Sequence, residues 1–450
     1  MQDQEIVSVE ASHPPAGTTS RGKNTPDHDE ENHHIHNSRT IAWLQLLGSF
    51  CLNVNTWGML GSFGVYQTHY SLKMLHEYSE SEISWIGSVQ GFFMFLVSFI
   101  IGPIFDAGHL HSLLRVGTLL SLLGLFMTSL CVSYWQVILA QGVAMGIGFG
   151  CLYLPAPALV SMHFKKHQAL AMGLSSSGSG IGAVVFSLVF SHMEPRVGFA
   201  WATRTVGFIL LATSIIPLLV MRFPASVKSE SAATEKRTIA QSFVRCLQSL
   251  VEKGALHDTP FILLVVGALT TFMGIYVMLY YINLLATQRT GVSLELASQT
   301  LTIVNGASTF GRILPSILAD YIGSVQILAM TALLSGMLAF TSLSVNSTAT
   351  LIIWTIAFGS FSGAFMGLPA AGIVSISNTT DNIGRRIGMT LGAVGCGVLI
   401  AEPIAGAILG SRGNGWVGLI SWSASLMMAG SVFTILARIK RVGIKPLQKI

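Results

Sequence analysis

Stretches of about 20 predominantly apolar residues recur along the chain, and they constrain its fold more than any other feature. A helix needs about that length to cross the roughly 30 Å hydrocarbon layer of a bilayer. In that solvent only helices and closed barrels satisfy their own backbone polar groups. The runs fall near 41–68, 83–105, 112–132, 135–160, 169–191 and 203–221, then near 260–287, 296–319, 325–345, 350–375, 387–410 and 417–437. Only 10% of residues are charged, against about 25% in water-soluble domains. Too little polar surface is left to clothe a water-exposed globule. The expectation is an all-α integral membrane protein with twelve transmembrane helices in two pseudo-symmetric six-helix bundles.

Polarity divides the chain further. Residues 1–40 read as a disordered polar tail without an apolar signal segment, so the first apolar run is expected to act as an internal signal. Residues 41–221 form a first bundle, 222–258 a linker, 259–437 a second bundle and 438–450 a basic tail. Within the linker, Ile239, Phe243, Leu247, Leu250 and Val251 share one helical face, which suits a short helix lying on a membrane surface. A solvated linker is the alternative.

The net charge of +5 does not signal nucleic acid, because the basic residues lie between apolar runs instead of on one face. They set orientation. With the amino terminus cytoplasmic, 19 Lys and Arg fall on the cytoplasmic side and 5 (Lys73, Arg196, Arg204, Arg289 and Arg412) on the outer side. Both termini are therefore expected in the cytoplasm, and the plasma membrane is the expected location. Five isolated cysteines show no disulfide or zinc spacing. Metalloprotease, nucleophile-elbow and phosphate-loop signatures are absent, so neither an enzyme nor an ATP-driven pump is expected. No metal or other cofactor is implied.

The halves repeat one another. Gly142, Gly146 and Gly150 space every fourth position of the fourth run, and Gly359, Gly363 and Gly367 do so in the tenth. Asp106 closes the second run and Asp320 the eighth, 214 positions later. A recurring offset points to internal duplication, and small residues at that spacing let helix backbones approach.

The segment Gly102-Pro-Ile-Phe-Asp106-Ala-Gly108-His109 resembles the G-x-x-x-D-R-x-G loop of the major facilitator superfamily, with Ala107 in place of the usual Arg. Its counterpart is Gly311-Arg312 through Asp320-Tyr-Ile-Gly323. Thr56-Trp57-Gly58, Ser62 to Gln67, Ile83 to Gln90, Ser175 to Gly180 and Gly311 to Ser316 resemble the fungal branch of the monocarboxylate transporter family. The resemblance covers 41–437. It implies alternating access by two rocking bundles around a midplane site, with a functional monomer. It also implies a small organic, carboxylate-bearing substrate and a possible proton co-substrate. Animal members place a Lys in the first helix and an Asp one turn before the Arg of the eighth; here Gly61 and Ser308 stand there. Export of a fungal secondary metabolite, or a non-transporting membrane sensor, are the alternatives.

A charge inside a span normally faces a cavity or a partner. Arg312 is therefore the leading candidate, as a clamp for a substrate anion, with a structural cation as the bland alternative. Glu402, beside Pro403, is the proton-coupling candidate, and a pair between it and Arg312 would form a coupling device. Asn55, Trp57, Gln90, Asn305, Tyr276 and Tyr280 are candidate substrate contacts, although polar groups at this depth often only bridge helices. Asp106 and Asp320 are expected to form a cytoplasmic gate by pairing with an Arg or a helix N-terminus.

Overall fold

The computed structural model describes residues 28–224, 250–377, 382–410 and 415–443. Most of the expected surface helix of the linker, the tail to residue 27 and the final basic residues lie outside these. From residue 42 onward the described residues form one compact unit, and apart from the first turns of α1 the account below concerns that unit.

Every element among the described residues is helical. Helix α1 begins at His28–Asn53 and continues through π-helical turns at Val54–Gly58 and Tyr70–Met74. There follow α2 (Glu80–Asp106), α3 (Leu110–Thr128) and α4 (Tyr134–His163). The helical segment Gln168–Val220 is broken at Gly198, whose φ of 80° and ψ of 166° only glycine adopts readily. It divides there into α5 and α6. The second half holds α7 (Thr259–Thr290), α8 (Leu294–Ile322), α9 (Ser324–Thr341), α10 (Thr348–Ile376), α11 (Ile383–Leu409) and α12 (Gly415–Val442).

Nine helices among the described residues are long and apolar enough to cross a membrane. One of the nine is the bent pair α5–α6, and α1 and α8 are too interrupted or too polar to be counted with them. The succession of elements fits the expected twelve crossings. Serines cap the starts of α2, α8 and α10. Ser79 opens α2 with a capping box: its hydroxyl accepts from the Glu82 N–H at 3.3 Å, and its own N–H donates to the Glu82 carboxylate at 2.8 Å.

The two glycine stripes do equivalent work. A Cβ at Gly146 would stand 2.8 Å from the Gln90 carbonyl oxygen of α2, and one at Gly359 would stand 2.6 Å from the Val304 carbonyl oxygen of α8. Helix α4 therefore lies against α2 as α10 lies against α8, at backbone distance. Across the halves, α2 runs along α11 and α5 along α8. Large apolar side chains such as Leu119, Leu219, Phe310 and Ile353 are exposed on the periphery, where a bilayer supplies the solvent.

Candidate functional site

A cavity of about 140 Å³ lies between the halves. Trp57, Gly61, Phe63 and Gln67 of α1, Ser88 of α2 and Ser179 of α5 line it from the first half. The second half supplies Tyr276, Tyr280 and Asn283 of α7, Asn305, Ser308 and Arg312 of α8, Met366 of α10 and Glu402 of α11.

Arg312 sits in this wall, 5% exposed. One Nη donates to the Ser176 carbonyl of α5 at 3.1 Å and the other reaches Met366 Sδ at 3.9 Å. Its Nε has no hydrogen-bond partner among the described residues. No carboxylate lies within ion-pair distance of it among those residues. A guanidinium removed from water without a counterion is unfavourable.

Glu402 does not pair with Arg312. Its carboxylate accepts from the hydroxyl of Ser88 on α2, a bond between the halves. Asn305 makes a second such bond, donating to the Gly61 carbonyl at 3.2 Å while lining the cavity. Trp57 anchors an aromatic wall, edge-on to Tyr153 at 5.4 Å and Phe95 at 5.6 Å, with Tyr276 of the second half at 6.3 Å. Tyr276 lines the cavity, and its hydroxyl is buried without a hydrogen-bond partner among the described residues. Tyr280 lines the cavity and packs edge-on against Tyr281 at 5.3 Å.

Two expected contacts are corrected. Asn55 turns away into the first bundle, where its amide donates to Ser214 Oγ at 2.9 Å and accepts from Thr213 at 2.5 Å. Gln90 is fully buried against α4, with no hydrogen-bond partner for its amide among the described residues. The cause is helical geometry. Each lies two residues from a cavity-lining neighbour, Trp57 or Ser88, and two residues rotate the side chain by roughly 200°. Ser88 and Gln67, not singled out from sequence, do line the cavity. No signal in residue type separates them from serines and glutamines that only join helices.

At one end of the molecule the halves are latched twice. Asp106, at the end of α2, accepts from the Gly384 and Arg385 N–H groups at the start of α11, both at 3.0 Å. Asp320, near the end of α8, accepts from the Ala169 and Leu170 N–H groups at the start of α5, at 2.9 and 3.0 Å. Each carboxylate thus fills an unpaired donor set at a helix N-terminus, where the macrodipole favours negative charge. Arg385 Nε lies 3.9 Å from Asp106. The next residue, Arg386, is tied to Glu252 at 3.1 Å and Asp258 at 3.4 Å, just before α7.

A sequence model of the Major Facilitator Superfamily matches residues 40–373. The MFS-type transporter dbaD of Emericella nidulans is 37% identical over 401 residues, 89% of this chain and 86% of that protein. The aspyridones efflux protein apdF of the same organism is 32% identical, over 88% of this chain and 77% of that one. The agnestins efflux protein AgnL12 of Paecilomyces divaricatus is 32% identical, over 89% and 88%. Among solved structures, the transporter FucP in its outward conformation superposes with a TM-score of 0.64 at 16% identity, covering 88% of this chain and 98% of that one. The proton:xylose symporter XylE gives 0.62 at 13%, covering 91% and 97%. At such identities the structural likeness speaks to the fold alone.

Proposed function

The chain belongs to the Major Facilitator Superfamily, and on that premise we propose that it is a secondary active carrier exporting an organic metabolite that bears an acidic group. One observation carries this reading. Arg312 holds a buried cation in the cavity wall with no carboxylate beside it among the described residues. A carboxylate or enolate on the cargo supplies the missing counter-charge. The aromatic wall of Trp57 and Tyr276 then suits a cargo larger and more apolar than a short-chain acid. The relatives named for efflux of aspyridones and agnestins support export over uptake.

The working cycle is rocking of the two bundles about this cavity. The excess of Lys and Arg assigned to one side puts the latched end in the cytoplasm together with both termini. The state described is then closed inward by Asp106 and Asp320. The functional unit is a monomer, and the plasma membrane is its proposed site.

A second element is favoured by a specific bond. Glu402 joins the halves through Ser88, so protonation there weakens an interaction that rocking must break. Proton exchange against the cargo is the coupling this implies.

The test is transport by the purified full chain in proteoliposomes, using labelled aromatic and alkyl carboxylates beside their methyl esters, with and without a proton gradient. The expected result is movement of acids over esters, reduced in Arg312→Lys and accelerated by the gradient. Equal movement of acid and ester by the wild type sinks the anion reading. A Glu402→Gln variant with unchanged gradient dependence sinks the coupling role.

A further inference from the structure

A second cleft opens beside the central cavity, between the first turns of α2, the later part of α7 and the last turns of α11. Its walls include Trp85, Tyr281, Leu399, Pro403 and Gly406. It shares Ser88, Tyr280 and Glu402 with the cavity, so the two spaces meet across one thin wall. The Ser88–Glu402 hydrogen bond forms part of that wall and also joins the halves.

The position of the cleft decides what lies outside it. Ser88 stands 8 residues into α2 and Glu402 stands 7 residues before the end of α11. At 1.5 Å per residue both are about 10–12 Å from their helix ends, within the hydrocarbon depth of one leaflet. The neighbouring surface is apolar: Trp85 is 42% exposed, Ile400 53% and Ile404 41%. Such side chains at that depth meet acyl chains rather than water.

The cleft is also amphipathic inside. Pro403 cannot donate to the carbonyl one turn back, at Leu399, and both residues line the cleft with Ser84 and Glu402. Gly406 keeps the passage clear, because a Cβ there would stand 3.0 Å from the Tyr281 hydroxyl.

We propose that this cleft is a lateral passage by which a lipophilic acid leaves the central cavity for the leaflet at the unlatched end. Its acidic group is handed past Glu402 and Ser88 while its apolar part slides between α2 and α11. The inference deepens the export reading and depends on it for the identity of the cargo; the cleft's opening to lipid stands apart and is measured separately.

The opening is tested with Ala407→Cys in a full chain whose five native cysteines are replaced by serine, labelled with an environment-sensitive fluorophore in lipid vesicles. Quenching by phosphatidylcholine brominated on its acyl chains, with little quenching by aqueous iodide, is expected. Quenching by iodide alone overturns the lateral passage. This result does not depend on whether any cargo moves.

The cargo arm uses two probes, benzoate and a dansyl-labelled undecanoate. Gly406→Trp, with Ala407→Leu as a milder plug, is expected to slow dansyl-undecanoate transport about tenfold and to leave benzoate unchanged. Equal slowing of both probes, or of neither, overturns the passage. Wild-type protein that moves neither acid while the label is quenched by brominated lipid fails the export reading and leaves the cleft's opening established.

Discussion

Asp106 of the first half takes two backbone N–H groups from the second, and Asp320 of the second takes two from the first, at distances within 0.1 Å of one another. The cavity shows no such exchange. The 214-residue offset that relates the two aspartates carries Arg312 onto Ser98 and Asn305 onto Gly91. Ser98 is buried, donating to the Gly150 carbonyl at 3.2 Å. A latch that two bundles must release together works best when both carry the same bolt. A cavity that reads one asymmetric molecule has no use for two copies of each contact. Duplication is thus kept at the latched end and lost in the cavity, where we propose that recognition happens.

The sharpest way to break this comparison is to remove the paired positions Arg312 and Ser98. Arg312→Ala is expected to weaken apparent affinity for an acidic cargo by about 10- to 100-fold, the range for losing charge-assisted hydrogen bonds of about 1.5–3 kcal/mol. Ser98→Ala removes one neutral bond and is expected to change it less than about fivefold. Concentration series of initial transport rates measure both, and equal losses would show a symmetric site.

Removal of the bolts should give a smaller but matched effect. Asp106→Asn and Asp320→Asn each lose a charge that faces a helix N-terminus. Either is expected to raise exposure of the latched end by about tenfold, since about 1.4 kcal/mol is enough for that shift. Maleimide labelling of Thr390→Cys, in a cleft between the halves toward that end, reports it. A large effect from one aspartate and none from the other would show that a single latch suffices.

Glycine contacts separate folding from rocking. A Cβ at Gly182 would stand 2.6 Å from the Val54 carbonyl oxygen inside the first half, whereas one at Gly102 would stand 2.8 Å from the Gly384 carbonyl oxygen across the halves. Gly182→Ala is expected to lower thermal stability by about 1–3 kcal/mol through overpacking. Gly102→Ala is expected to keep the melting temperature and increase labelling at Thr390→Cys. Thermal melts in detergent, read beside the labelling, distinguish the two.

The flanking cations should matter least. Arg385 lies 3.9 Å from Asp106 with its side chain 28% exposed, and His167 lies 3.9 Å from Asp320 at 52% exposure. Solvent-screened pairs of this kind contribute about 0–1 kcal/mol. Arg385→Ala is expected to increase labelling by at most about fivefold, and His167→Ala by less. Raising the salt should shrink the difference, because such pairs are screened.

Much of this was legible in the residues. The spans, the duplicated stripes and the aspartates at helix ends follow from hydrocarbon as solvent and from backbone groups that need partners. Arg312 and Glu402 stand out because charges at membrane depth are rare. The pair imagined between them was not legible as wrong, because the partner that Glu402 takes, Ser88, is 314 positions away. Asn55 and Gln90 looked as eligible as Trp57 and Asn305, since residue type at a given depth does not say which way a helix is rotated.

What the sequence determined alone is what local chemistry dictates. Length and apolarity set the crossings, the offset between repeats set the two halves, and the helix-end carboxylates set the latch. Only the tertiary structure decided which side chains share the cavity, that Arg312 lacks a carboxylate neighbour among the described residues, and that a cleft joins the cavity beside Glu402. Those facts depend on the rotation and register of helices from different halves. That rotation is fixed by packing between residues hundreds of positions apart, and periodicity within one helix carries no information about it.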